Sequence, residues 1–168
     1  MPKKKLDLPE ELNNKLTALT DLQKQKAEIE KGAIDLLKGT LKQLLVDVPE
    51  LEGISWCQYV PGFNDGEPCE FSIMGLEVKF AGVSEKDMEQ LEEDCDSTEG
   101  YAPINDQMDI LQYGELKARY GEKLFKYIDK VESVIYSLED CVKSAFGENA
   151  RVVVTRSGIE VEDYDCGY

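Results

Sequence analysis

Any chemistry in this sequence would have to come from carboxylates, thiols, lysines and tyrosines, because its 168 residues contain no histidine. That removes Ser-His and Cys-His nucleophilic pairs, imidazole acid–base catalysis and nearly all catalytic zinc sites. Gly62, Gly66 and Gly75 fit neither the P-loop nor the dinucleotide-loop spacing. The five cysteines, Cys57, Cys69, Cys95, Cys141 and Cys166, form an odd set without a C-x-x-C. Reduced thiols are therefore expected, and only Cys57 and Cys69 could meet, across a hairpin. A carboxylate metal site is the last catalytic option. Asp94-x-Asp96-x-Thr98 opens like an EF-hand loop, but Glu99 stands where Gly is required and Asn105 where the bidentate Glu should be. No metal, no cofactor and no enzymatic activity are expected.

Two stretches could instead carry recognition. The first is the acidic run Glu85, Asp87, Glu89, Glu92, Glu93, Asp94, Asp96 and Glu99. It reads as a solvated helix face or, more sharply, as carboxylates standing in for nucleic-acid phosphates. The formal net charge of −16 is concentrated around it: residues 48–113 hold sixteen acids against Lys79 and Lys86, whereas residues 1–47 hold eight acids against nine lysines. Such a field repels nucleic acid and anionic lipid and attracts basic surfaces. Direct nucleic-acid binding is disfavoured.

The second stretch runs from Trp56 to Phe71, with Tyr59, Phe63, Asn64 and Asp65 in between. It reads as a β-hairpin whose Asn64-Asp65-Gly66 supplies positive φ and whose aromatics pack on the sheet, or as an exposed aromatic loop for a partner. The pattern Trp56-x-Gln58-Tyr59-x-Pro61-x-Phe63-Asn64-Asp65-Gly66-x-Pro68-Cys69 resembles one in small uncharacterised proteins of tailed bacteriophages. The resemblance implies a phage origin and, through the many small acidic phage proteins that block host enzymes, an anti-defence or inhibitor role; it implies no chemistry for these positions.

The elements that must position these stretches read as one α+β domain over residues 1–168. Pro9 suits a first helical turn and Pro49 ends the run, which predicts a long helix over 9–47. Its second half carries a stripe through Ile29, Ala33, Leu36, Leu37, Leu41, Leu44 and on to Val48. Its first half thins to Leu12, Leu16, Leu19 and Leu22 and is expected to project, with a bend or break open at Gly32 or Gly39. Strand-like sequence fills 54–80, an acidic surface insertion 84–110, a second helix 114–147 and a β-hairpin 151–164 turning at Ser157-Gly158. A mainly antiparallel sheet of four to five strands is expected, with the two helices on one face or paired. Leu124, Ile128, Val131, Ile135, Leu138, Val142 and Ala145 follow a heptad spacing, which serves either a seam within the fold or a homodimer.

No apolar run is long enough to span a membrane and no apolar stretch follows the basic N-terminus, so a cytoplasmic protein is expected, in the host cell if it is phage-encoded. The functional expectation is an acidic protein that binds a basic host nucleic-acid or defence enzyme, in the manner of a DNA mimic. The alternatives are an assembly protein using coiled-coil helices and, last, a carboxylate-based metal-dependent enzyme.

Overall fold

The computed structural model describes residues 9–62, 66, 68–82, 89, 100–103 and 122–165. It opens with α1, Glu10–Asp47, an unbroken helix of 38 residues and about 57 Å. The Pro9 carbonyl accepts from the amides of Leu12 and Asn13, and Glu10 and Glu11 lie at the positive end of the helix dipole. Neither Gly32 nor Gly39 breaks it. Its C-terminal half buries Ile34, Leu37, Leu41, Leu44 and Leu45, while residues 10–28 are exposed on every side. The expected projection of the first half is what the chain adopts.

The sheet is antiparallel throughout. Strands β1 (Leu51–Tyr59), β3 (Glu77–Phe80), β4 (Ala102–Pro103), β5 (Ala150–Thr155) and β6 (Ile159–Asp163) run in the order β4-β3-β1-β5-β6. The two-residue β2, Ser72–Ile73, pairs with the end of β1 on the same edge as β3. The strand β4 corrects the expectation that 84–110 stays outside the sheet: Ala102 pairs with Val78 and Pro103 with Glu77. Two residues are too short to show a period-2 signal, so only tertiary pairing defines them. The β5–β6 hairpin closes at Ser157-Gly158 as the sequence predicts, with the Thr155 amide donating to the Gly158 carbonyl.

Strand parity sorts the side chains. Ile54, Trp56, Val78, Val152 and Val154 point into one core with Leu41, Leu45, Ile128, Ile135 and Val142. The second helical stretch supplies that core as α2, Glu122–Ser137, and α3, Glu139–Phe146. They part at Leu138, whose φ of −104° and ψ of 23° leave the helical region. Residues 114–121, the expected start of this helix, lie outside the described residues.

The heptad seam is consumed inside the chain. Leu124, Ile128, Val131, Ile135 and Val142 are all buried against α1 and the sheet, which corrects the reading of 124–145 as a dimer interface. Ala145, the last seam position, is exposed and Phe146 is buried in its place. A real helix repeats every 3.6 residues, so a 3.5-residue pattern drifts out of phase along it.

Two long-range contacts lock the layers. Arg156, at the hairpin turn, donates to the carbonyls of Leu45 (3.1 Å), Pro49 (2.7 Å) and Leu51 (2.8 Å), which satisfies acceptors left over where α1 ends. From α2, a carboxylate oxygen of Glu132 accepts from the Leu76 amide at 2.8 Å and holds the link between β2 and β3.

Candidate functional site

Most of the acidic run, Glu85, Asp87, Glu92, Glu93, Asp94, Asp96 and Glu99, lies outside the described residues; Glu89 is helical and exposed. Phe63, Asn64 and Asp65 lie outside them too. Trp56 is 1% exposed, which removes it as a contact for a partner. Its place in β1 two residues from Ile54 sends it to the helix side, where its ring meets Phe146 edge-on at 5.6 Å. Tyr59 is half-buried and makes an edge contact with Tyr164 at 6.2 Å.

The opposite face of the sheet gathers the groups closest to chemistry. Ser55 is fully buried and donates to a carboxylate oxygen of Glu77 at 3.1 Å, one strand away. Arg151, 9% exposed, lies with its guanidinium 5.3 Å from the Tyr101 ring and 3.9 Å from the Glu162 carboxylate. Burial raises the Glu77 carboxyl above its ordinary value, against the lowering effects of Ser55 and Arg151. Cys57, paired with Arg151 in register, has its thiol pushed up to about 11 by burial and then by Glu77. A reactive cysteine needs the opposite shift. This cluster is a polar network under Tyr101, and its thiol is shifted away from the thiolate that a nucleophile needs.

Among the described residues no group of three or more acidic or cysteine side chains could hold a metal ion, and no helix is long and apolar enough to cross a membrane.

The surface that stands out is on α1. Leu12, Leu16, Leu19 and Leu22 are 42–62% exposed, and Ile29 and Leu36 are 72% and 74% exposed. Toward the C-terminal end this apolar line runs into a groove of about 380 Å³ between α1 and α2, walled by Ala33, Leu36, Leu37, Tyr127, Val131 and Val134. Singly exposed leucines are common on protein surfaces; here they form a row along one helix. The sequence shows the leucines, yet their exposure depends on which side of α1 the sheet covers. Comparison with protein-family models, with curated proteins and with solved structures finds no match.

Proposed function

We propose that this is a non-catalytic binding protein that works within a macromolecular assembly, engaging another polypeptide through the projecting half of α1. The observation that carries the reading is the run Leu12, Leu16, Leu19 and Leu22, exposed along a helix whose first nineteen residues touch nothing of the core. Most helical stability in proteins comes from packing an apolar face, so a partner on this side would stabilise the projecting half as well as bind it.

A second reading has its own support. Strand β6 presents Glu160, Glu162 and Asp163, all exposed, along an edge of the sheet. With the sixteen acids of residues 48–113 and the resemblance to phage proteins, this favours a basic partner such as a host nucleic-acid or defence enzyme. One experiment separates the two. A photo-cross-linking residue at Leu22 or at Glu160 is expressed in the producing cell. Protein adducts from position 22 are expected; adducts from position 160 alone would replace the helix reading with the acidic one.

A further inference from the structure

We infer that the partner of the projecting helix is a second copy of this chain, paired antiparallel along α1. This rests on the proposal that the helix is an interaction surface and names its occupant. Leu12, Leu19 and Ala33 fall on one seven-residue series and Leu22, Ile29 and Leu36 on another, offset as the two core positions of a coiled coil are. The buried side chains Ile34, Leu41 and Leu45 lie outside both series, so the seam runs alongside the intramolecular core without using it.

The spacing selects one antiparallel register. With each residue of the first series set opposite one of the second, Leu12 meets Leu36 of the second copy, Leu19 meets Ile29, and Lys26 meets Leu22. The seam has two polar breaks: Lys26, tied along its own helix to Glu30 at 3.4 Å, lays its methylene stem on that leucine, and Lys15, tied to Glu11 at 2.8 Å, meets Ala33 of the second copy. Leu16 of the second copy then falls on the side of α2 and enters the groove beside Leu37 and Tyr127.

Three further observations favour a second copy. Gly32 and Gly39 weaken the helix relative to alanine, yet a Cβ at either would meet nothing within 4 Å in the chain. Gly32 flanks the seam inside the overlap, and Gly39, seven residues on, lies one residue beyond its end. Residues 10–38 hold six acids against five lysines, the part of a chain of net charge −16 where two copies repel least, and Lys15 and Lys26 on the seam disfavour a basic helix instead. The overlap is about 43 Å long, and a strip one helix diameter wide covers on the order of 400 Å² per copy before side-chain relief and the groove are counted. The two copies together thus cover about 800 Å², and the side-chain relief and the groove must supply the rest of the roughly 1,200 Å² at the lower end of specific interfaces.

Sedimentation of the full chain over a concentration series into the high-micromolar range tests the pairing. The mass is expected to rise to twice that of the chain. The double variant Leu19→Asp, Ile29→Asp, with both sites exposed in the monomer, should keep the circular dichroism and thermal midpoint and stay monomeric. A mixture of Leu12→Cys and Leu36→Cys chains should form a disulfide between copies, identified by mass spectrometry, whereas Leu19→Cys alone should not. A wild-type monomer at all concentrations, a double variant that still pairs, or efficient Leu19→Cys self-linkage each overturns the inference. A monomer whose helix still cross-links to a different protein would overturn this inference alone and leave the proposed function standing.

Discussion

The indole N–H of Trp56 donates to the side-chain oxygen of Gln58 at 3.0 Å, joining two buried residues on the same side of β1. The Gln58 amide turns the other way and donates to the Gly147 carbonyl, where α3 ends. One buried side chain thus satisfies the only tryptophan and the close of a helix. Replacing Gln58 with Leu leaves both groups without this partner, at about 1–3 kcal/mol each. Gln58→Leu is expected to lower stability in urea by about 2–6 kcal/mol; a loss under about 0.5 kcal/mol would show that the bridge is dispensable.

Arg156 reaches four carbonyls at the α1–β1 turn, those of Leu45, Val48, Pro49 and Leu51, with one planar guanidinium, a geometry that an ammonium cannot copy. Arg156→Met is expected to cost about 2–4 kcal/mol, because bonds from a charged donor contribute about 1.5–3 kcal/mol. Arg156→Lys should recover less than half of that. Full recovery by lysine in thermal melts would mean that charge, not the fork, holds the turn.

Gly53 makes room for Tyr101. A Cβ there would fall 2.1 Å from the Tyr101 hydroxyl oxygen and 2.9 Å from its ring. Gly53→Ala should therefore displace the ring from Lys79 and Arg151 and cost about 1–3 kcal/mol. In a Tyr101→Ala background the same substitution should be nearly neutral. A double-mutant cycle with no coupling would sever the proposed contact.

The raised Cys57 thiol sets both a rate and a pH dependence. A pKa of about 11 in place of 9.0 lowers the thiolate population near neutral pH. Greater intrinsic nucleophilicity offsets part of that, leaving alkylation at pH 8 about 10-fold slower in the folded chain than in urea. The folded state holds its proton more tightly than the unfolded state between these two values, so stability should fall as pH rises from 9.0 to about 11. Cys57→Ala should flatten that part of the curve. Alkylation followed by mass spectrometry gives the rate, and denaturation at several pH values gives the slope; a folded rate equal to the urea rate would contradict the shift.

The elements set by local pattern were legible in the sequence. Pro9 and Pro49 bracket α1, and the apolar stripe of Leu36, Leu37, Leu41 and Leu44 marks it as a helix, while Ser157-Gly158 marks the last hairpin. What escaped was set by distant partners. Ala102 and Pro103 become a strand only because β3 lies beside them, and Tyr101 finds its place because Gly53, about fifty residues earlier, has no side chain. Trp56 was open to either reading, since an aromatic residue near a loop suits a partner surface and a core equally. Its two-residue spacing from Ile54 carried the answer, once the pleat was known. The exposed row on α1 was visible as spacing, but the side of that helix left bare depends on where the sheet docks.

The order of strands also bears on how the chain behaves while it is being made. Strand β1 has β5 as its neighbour from Gly53 to Gln58, with Gln58 beside Ala150. A ribosome adding about 5–20 residues per second therefore leaves one edge of the central strand open for several seconds after it leaves the exit tunnel. Closing so long a loop also makes folding slow compared with helical proteins of this size. Strand β1 carries Trp56 and Ile54, an apolar edge of the kind that pairs with other unfinished chains. The acids crowded into the intervening segment would then act before the fold exists, keeping neighbouring nascent chains apart until β5 arrives.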